Sequence, residues 1–409
     1  MLDLLPPEVR EHACPGWESV LVRHCLSMTV GHDVDAWPAL GLRGGTAPTD
    51  EWLHRVVATR LDHAPGAEFA YDQVATYLLS RAITHVTGED LLDVLRPRLL
   101  RPLGLSEDVP WHRDPAGHAL GFSGAHLTTE AIATIGQLHL DGGTWQGEQL
   151  LDPAWVAEAT RAVGPLNRDP GAGPDWRRGY GFSFWQMRGG YRGDGAFGQL
   201  MVVLPEHDVV VATTAATTEM QLLVDLVRDH LVAALDGALD DRADGDGGVQ
   251  ATEARLLERL AGLQVRPVAA TAPAPGPVAA SRVASGGTDL DPAYDRVEVA
   301  ADGGSVVLHR GAEAFEVALG DGRWAESTWH RDGGAWSLPV AASGGWVDED
   351  RFIAEVLVVE SAHRFGVEVL AATDGAPEAR LRWREVPLNG PDPWHSAARG
   401  PLDQDPTVR

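Results

Sequence analysis

The stretch from Pro65 to Leu105 places the tightest constraint on what this chain can fold into. A Pro-Gly turn leads to an isolated tyrosine, Tyr71, and an apolar run with helical period follows it. Thr87 with Asp90 predicts the start of a second helix. A tyrosine at the start of a buried helix can be packing alone, or it can aim a phenol into a cleft. The apolar face predicted for the first helix comprises Val74, Tyr77, Leu78, Ala82 and Val86.

Net charge limits the partners of this chain. Its 409 residues include 59 acidic and 33 basic side chains, which give a formal net charge of −26 and a pI near 4.9. Such a surface repels polyanions, so we predict no nucleic acid and no membrane as partner. With 44% hydrophobic and 22% charged residues, the chain is of globular type and long enough for two or three domains.

The basic residues are all arginine, and the sequence contains no lysine. Chemistry that needs a lysine amine therefore cannot come from these residues. Cys14 and Cys25 are too few for a disulfide framework and are predicted to be reduced. No charged-then-apolar leader follows Met1, and no apolar run is long enough to span a bilayer. The predicted location is therefore the cytoplasm.

Changes in composition and period predict the domain organisation. Residues 1–237 mix helical and strand periods, whereas 238–288 form an acidic and then Pro/Ala-rich linker that can include a short helix. Residues 289–390 alternate around Gly-rich turns, which predicts an antiparallel β domain built as a small barrel or sandwich. Residues 391–409 are typical of a flexible tail. The predicted fold class is thus α+β with an additional all-β domain.

Local signals position the later elements of the first domain. Thr128 and Asp152 predict helix starts, the latter with a proline in the first turn. Leu200–Leu204 and Val209–Thr214 predict two strands of an antiparallel hairpin, and 219–235 predicts an amphipathic helix. A strand with alternating aromatic residues is predicted ahead of the hairpin, at Tyr180, Phe182 and Phe184.

Several of these segments, in order along residues 1–235, resemble the serine β-lactamase and penicillin-binding-protein superfamily. The closer resemblance is to its class C-like, esterase-like branch of β-lactamase-related serine hydrolases. That branch has Pro-Gly, an aromatic residue, Tyr-x-Asn or Tyr-x-Ser, a buried helix, Val-Thr-Gly and Pro-Leu-Gly. Residues 65–105 match each of these points except the third position of the tyrosine motif, where Gln73 stands. The segment VLVRHCLSMTVGHD, 20–33, also matches.

The resemblance implies roles for individual residues. Tyr71, as a phenolate or within a proton relay, would help take the proton from a nucleophilic serine, and Gln73 would orient the substrate. The string RGDGAFGQ from Arg192 resembles the third motif of the family, on the strand that borders the active site. It implies substrate contacts at Gly193, Asp194 and Gly195 and one arm of an oxyanion hole at the backbone N–H of Ala196.

The Ser-x-x-Lys motif of that family is absent from these residues. We therefore assign no nucleophile, and we expect a β-lactamase-like domain, an antiparallel sheet flanked by helices, that lacks its N-terminal part. No G-x-S-x-G, H-E-x-x-H or C-x-x-C string is present either. The sequence accordingly predicts no metal and no cofactor.

Three functions remain open from the sequence. The resemblance implies hydrolysis of a small ester or amide through an acyl-enzyme, with no efficient turnover by these residues alone, because nucleophilic catalysis needs a hydroxyl and its base within hydrogen-bond reach. The negative charge of Asp194 favours an uncharged substrate. The alternatives are a pseudoenzyme that binds a ligand in the old cleft and an interaction protein that uses its C-terminal β domain. The oligomeric state is not predicted.

Overall fold

The structure, a computed structural model, describes residues 1–40, 51–238, 246–285, 294–334, 336–371, 376–388 and 390–397. Its backbone separates into two compact units. One runs over Met1–Gln221, and the other begins at Leu222. No helix of the described part is both long enough and apolar enough to cross a membrane.

The first unit combines helices with an antiparallel sheet. Its helices are α1 (Pro7–Arg10), α2 (Val22–Leu26), α3 (Glu51–Val57), α4 (Gln73–Thr87), α5 (Leu91–Leu95), α6 (Thr129–Leu140) and α7 (Pro153–Ala159). Its strands are β1 (Thr144–Trp145), β2 (Glu148–Gln149), β3 (Trp185–Met187), β4 (Gly190–Gly195), β5 (Gln199–Leu204) and β6 (Val209–Thr213). The last four form one sheet in the order β3-β4-β5-β6, and every neighbouring pair is antiparallel.

Helix α4 forms where the sequence predicts it. Asp72 caps its N-terminus by accepting a hydrogen bond from the Val74 N–H at 3.1 Å. Gly88 ends it in the left-handed conformation with φ 75°, and its N–H donates to the Thr84 carbonyl. The predicted face is buried except at Val86, which is 62% exposed in the last turn. The prediction for Val86 was wrong because the helix leaves the core before that turn.

The N-cap of the second predicted helix lies three residues after Thr87, which was predicted as the cap. Asp90 is its cap and accepts from the Leu92 N–H at 3.2 Å, whereas the Thr87 hydroxyl donates back to the Ile83 carbonyl inside α4. Pro97 lies in a π-helical turn, Arg96–Leu100, that follows α5, as expected of a residue that cannot donate a helical hydrogen bond.

The predicted caps and hairpin are confirmed. Thr128 and Asp152 accept hydrogen bonds from the first turns of α6 and α7. The hairpin of β5 and β6 turns at Pro205–His207. The strand predicted through Tyr180, Phe182 and Phe184 is wrong: β3 begins only at Trp185, and the three aromatic residues are buried in irregular backbone. Their alternation reflects packing against two hydrophobic clusters rather than strand pairing.

The second unit contains the C-terminal all-β region. Helices α8 (Met220–Leu226, which starts just before the boundary), α9 (Ala233–Ala238) and α10 (Asp246–Ala261) precede its strands, and a π-helical turn at Val227–Val232 joins the first two. The strands are β7 (Val278–Ala280), β8 (Arg282–Ser285), β9 (Arg296–Val299), β10 (Ser305–Arg310), β11 (Glu313–Ala318), β12 (Ala325–Arg331), β13 (Trp336–Trp346), β14 (Arg351–Val358), β15 (Arg364–Leu370) and β16 (Glu378–Trp383).

Two sheets share one hydrophobic core in this unit. Their orders are β11-β10-β9-β7 and β12-β13-β14-β15-β16-β8, and neither closes into a barrel within the described residues. The strand pairs are antiparallel except that β16 and β8 run parallel. The buried aromatic side chains of the shared core are Tyr294, Phe315, Trp329, Trp346, Phe352, Phe365, Trp383 and Trp394.

Two segments differ from the sequence-based expectation. Strands β7 and β8 lie inside the stretch predicted as linker, because short strands can pair through their backbone without any side-chain pattern. In the predicted tail, Pro393–Ser396 forms a 3-10 turn and Trp394 is only 3% exposed. The chain therefore remains packed through that turn, and 398–409 lies outside the described residues.

Candidate functional site

Tyr71 lies between a fixed turn and the start of α4. The Gly66 N–H donates to the Thr29 carbonyl at 2.8 Å, and the Ala70 N–H donates to the Met28 carbonyl at 3.0 Å. These bonds hold the segment before Tyr71 against the matched segment 20–33. The tyrosine remains 45% exposed, so its position at the head of a buried helix does not bury it.

One face of the Tyr71 ring packs on buried aromatic residues. It stacks on Trp185 with ring centroids 5.6 Å apart and an interplanar angle of 18°, and it meets Tyr180 edge-on at 6.3 Å. Trp185 and Tyr180 are 5% and 3% exposed. Because their neighbours are fixed in the core, the phenol has a defined direction. Sequence reasoning missed Trp185, and its place beside the aromatic run was the available signal.

The residue after Tyr71 belongs to a buried polar chain. The Asp72 carboxylate accepts from His32 Nδ1 at 2.6 Å, and His32 Nε2 lies 2.9 Å from the hydroxyl of Thr59. This order has the connectivity of a hydroxyl-imidazole-carboxylate triad. The Thr59 hydroxyl, however, donates its only proton to the Val56 carbonyl at 2.7 Å. This series of hydrogen-bonded side chains therefore fixes the N-terminus of α4 and offers no activated nucleophile.

Gln73 is held by a second carboxylate. Its backbone N–H donates to Asp35 Oδ1 at 3.1 Å, and its side-chain Nε2 donates to Asp35 Oδ2 at 2.7 Å. Burial raises the pKa of Asp35, and these hydrogen bonds from Gln73 oppose the rise. Gln73 thus commits one amide proton to Asp35, so the predicted contact with a substrate would use the rest of the amide.

Strand β4 carries a buried ion pair next to this region. Arg192 is 0% exposed, its Nε lies 2.9 Å from Asp194 Oδ1, and its guanidinium lies 4.3 Å from the ring centre of Trp176. Burial raises the pKa of Asp194 to about 6, and the positive charge of Arg192 opposes the rise. Asp194 is therefore mostly ionised at neutral pH. Arg192 was not among the predicted site residues, because its burial depends on tertiary packing.

The two glycines predicted to contact a substrate, Gly193 and Gly195, differ in whether a side chain could replace them. A Cβ at Gly195 would lie 2.8 Å from the Cβ of Gln199, whereas at Gly193 the nearest atom would be Met201 Cε at an ordinary 3.4 Å. Only Gly195 is therefore needed for close approach of the backbone. At Gly193 a side chain would fit without displacing its neighbours.

The turn after β4 is held in place by Gln199. Its Nε2 donates to the carbonyls of Ala196 and Ala215 at 3.1 and 2.6 Å, and its Oε1 accepts from the Ala215 N–H. Ala196 itself is exposed. The next residue, Phe197, has a left-handed backbone with φ 64°, a conformation that costs energy in a non-glycine residue. A rigid and accessible backbone at Ala196 is what an oxyanion-binding N–H would need.

The structure brings Tyr71 and Asp194 into one electrostatic environment. Desolvation raises the pKa of Tyr71, and the negative charges of Asp194 and Asp35 raise it further. The register of the sheet explains the proximity: Trp185, on which Tyr71 stacks, pairs with Arg192, two residues before Asp194. A general base would need the opposite shift of its pKa. At neutral pH this phenol is therefore protonated and can donate a hydrogen bond.

Within the described ranges, no three His, Cys, Asp or Glu side chains converge in a way that could hold a metal ion. The polar groups near Tyr71 are instead carboxylates with arginine, histidine and amide partners. Such a set can orient a neutral polar ligand by hydrogen bonds. The set contains no lysine, although the family that the sequence resembles has one at this site.

Comparison with known proteins gives a consistent family. The family model described as Beta-lactamase matches residues 3–234. The 6-aminohexanoate-dimer hydrolase of Paenarthrobacter ureafaciens is 28% identical over 186 residues, which cover 44% of this chain and 46% of that protein. The chain thus spans less than half the length of this curated relative.

Solved structures to which the chain is similar include SurE, at 17% identity and a TM-score of 0.42 over 93% of this chain and 82% of SurE. A beta-lactamase from Mycobacterium bovis is similar at 19% identity and a TM-score of 0.39, over 55% of this chain and 76% of that one. Because the family model covers more than half of the sequence and includes both Tyr71 and the β4 turn, the chain belongs to the beta-lactamase family.

Proposed function

We propose that the exposed side of Tyr71 forms part of a cleft that binds an uncharged ester or amide, and that residues 1–409 alone do not hydrolyse it efficiently. Related serine hydrolases first bind such substrates and then cleave them through an acyl-enzyme. For residues 1–409 we propose only the binding step. The observation that carries it is the geometry of Tyr71, whose ring is held against Trp185 and Tyr180 while 45% of the residue stays exposed.

The chemistry of the phenol supports binding rather than catalysis. An ordinary tyrosine has a pKa of about 10, and two neighbouring carboxylates move Tyr71 further from a phenolate. With no lysine in the sequence, no lysine ammonium is present to reverse that shift. The Tyr71 hydroxyl would donate a hydrogen bond to a ligand oxygen, and the exposed N–H of Ala196 would supply a second donor.

Charge favours a ligand without a carboxylate. Above a pH of about 6 the Asp194 side chain is ionised, and a second negative charge beside it would be repelled. Arg192 offsets part of this effect. An amide is supported by the name of the Paenarthrobacter ureafaciens relative, which states that it hydrolyses the 6-aminohexanoate dimer.

Calorimetry at pH 7.5 with the N-acetylated 6-aminohexanoate dimer and its methyl ester tests the proposal, because acetylation removes the ammonium and leaves the ester uncharged. We expect the methyl ester, which lacks the carboxylate, to bind more tightly, and neither compound to be hydrolysed. Tyr71→Phe removes the donor and is expected to weaken binding about tenfold, the equivalent of about 1.4 kcal/mol. Tyr294→Phe, the same substitution in the second unit, is the matched control and should leave the affinity unchanged.

Labelling with a fluorescent fluorophosphonate tests the absence of turnover. We expect no covalent label on the chain, because no serine has a lysine as its partner. Stoichiometric labelling of a serine, or measurable release of 6-aminohexanoate, would contradict the proposed lack of hydrolysis. Equal affinity for the dimer and its methyl ester would contradict the proposed effect of Asp194.

A further inference from the structure

A small pocket lies within the second unit and is lined by none of the residues considered so far for function. It has a volume of about 110 Å³. Its walls are the turn between β9 and β10, which contains Gly303, the end of β13 at Gly344–Trp346, and the extended segment 270–274. All of these elements belong to the same unit.

The extended segment is held over the end of β13 by hydrogen bonds. The Val268 N–H donates to the buried Ser343 hydroxyl at 2.8 Å, and the N–H groups of Thr271 and Ala272 both donate to the Trp346 carbonyl at 2.9 Å. Ala270 packs so closely on Gly345 that a Cβ at that glycine would lie 2.6 Å from the Ala270 Cβ. The wall of small side chains is therefore a fixed part of the fold.

The floor of the pocket contains a hydrogen-bond donor with no partner among the described residues. Trp346 is 1% exposed, and its indole N–H makes no hydrogen bond there. A Cβ on Gly303 would lie 3.2 Å from Trp346 Cδ1 and 3.6 Å from Nε1, with Ala274 next to it. The donating edge of the indole thus faces residues that line the pocket. Buried indole N–H groups usually have an acceptor.

Two carboxylates also line the pocket. Asp302 Oδ1 accepts from the Gly304 N–H at 2.9 Å, and Asp321 Oδ1 accepts from the Ala270 N–H at 2.8 Å. Each bond orients a side chain that is otherwise exposed. Two fixed negative charges at the rim attract a cation and repel an anion.

We propose that this pocket binds a small primary ammonium compound that also carries an oxygen acceptor, about the size of an amino-acid amide. The oxygen would accept from the Trp346 indole, and the ammonium would lie near Asp302 and Asp321. Because the pocket has a volume of only about 110 Å³, the ligand can have only a short carbon skeleton. This site is separate from the cleft beside Tyr71 and does not depend on the function proposed for it.

Titration of the ¹⁵N-labelled full chain, followed by NMR of its tryptophan indole groups, tests the proposal. Trp346→Phe identifies the Trp346 resonance among the 14 tryptophans. We expect alaninamide to shift this resonance in a saturable way with an affinity in the millimolar range. Propionamide, which lacks the ammonium, and ethylamine, which lacks the oxygen, should each bind at least about tenfold more weakly.

Substitutions separate a specific site from general charge attraction. Asp302→Asn and Asp321→Asn should each weaken alaninamide binding severalfold, and Gly303→Ala should abolish it by placing a methyl group against the indole edge. Trp324→Phe removes an indole that already donates to the Val265 carbonyl at 3.0 Å, so it is the matched control and should have no effect. Retention of the other indole resonances shows that each variant is folded.

The opposite results would overturn the proposal. A Trp346 resonance that alaninamide does not move would mean that the indole serves only a bound water. Equal shifts with propionamide or ethylamine would show that the two groups are not recognised together.

Discussion

Two tyrosines near the start of α4 show how different two environments of one residue type can be. Tyr77, in the helix, is 1% exposed and donates to Asp114 Oδ2 at 2.9 Å. Tyr71, just before the helix, is 45% exposed; desolvation raises its pKa, and the charges of Asp194 and Asp35 raise it further.

The difference separates a structural phenol from a candidate functional one. The proton of Tyr77 is committed to a carboxylate that also accepts from the N–H groups of Ala116 and His118. Tyr71 has a fixed ring and an accessible edge. The carboxylates around it are held by Arg192 and Gln73 rather than by the phenol itself. A phenol that is positioned but uncommitted is available to a ligand.

The sharpest test of the Tyr71 region is the removal of its buried cation. Arg192→Met leaves Asp194 buried without its positive partner, and we expect a loss of about 3–5 kcal/mol in the free energy of unfolding. Urea denaturation measures it. Arg168→Met removes an exposed arginine, 77% accessible and 3.4 Å from Glu68, and is expected to change stability by less than about 0.5 kcal/mol. A similar loss of stability in both variants would mean that the buried Arg192–Asp194 pair stabilises the fold no more than the exposed Arg168–Glu68 pair does.

Acidity should affect the same region in a defined direction. The carboxyl of Asp194 has a pKa of about 6 in the folded chain against 3.8 ordinarily. Between these values the native state holds the proton more tightly, so the contribution of Asp194 to stability is present at low pH and is lost as pH rises towards 6. The change is at most about 3 kcal/mol.

Urea denaturation across pH 4–7, compared between the native sequence and Asp194→Asn, measures this contribution. The stability difference between the two proteins should change over that interval and stay constant above it. A stability difference that does not change with pH would show that Asp194 has an ordinary pKa. Its negative charge near Tyr71 would then persist in mild acid.

The structural tyrosine should respond to loss of its hydroxyl. Tyr77→Phe removes a donor from buried Asp114, and we expect a loss of about 1–3 kcal/mol in the free energy of unfolding. Denaturation by urea provides the measurement. An unchanged stability would mean that other donors satisfy Asp114 and that Tyr77 is not the committed phenol of the pair.

The candidate functional tyrosine should show the smallest effect on stability. Tyr71→Phe keeps the stack on Trp185 and removes no buried hydrogen bond, so the expected change is within about 0.5 kcal/mol. Its effect should appear instead in ligand affinity. A larger destabilisation than that of Tyr77→Phe would reverse the comparison and make Tyr71 structural.

Local signals in the sequence were sufficient for the elements that hold the site. The helical period and the Asp72 and Gly88 ends define α4, and the apolar runs on either side of Pro205 define the hairpin of β5 and β6. These features depend on nearby residues only. They place Tyr71 before α4 and Ala196 ahead of the hairpin, although they do not bring the two residues together.

The rest depends on contacts between distant residues. Arg192 is polar in sequence and fully buried in the fold because Asp194 and Trp176 surround it. Strands β7 and β8 are only three and four residues long, and their pairing is decided by their partners, not by their own pattern. The position of Val86 shows the reverse case, in which a residue fits the helical period but lies beyond the edge of the core.

The parallel pairing of β8 with β16 has a consequence for synthesis of the chain. Strand β8 lies at the edge of its sheet, and its partner is the last of the described strands to leave the ribosome. Until Glu378–Trp383 has been made, Arg282–Ser285 has no strand to join, and its backbone groups must remain hydrated. A nonsense mutation just before Glu378 would therefore remove two strands from the sheet, one by deletion and one by leaving it without a partner.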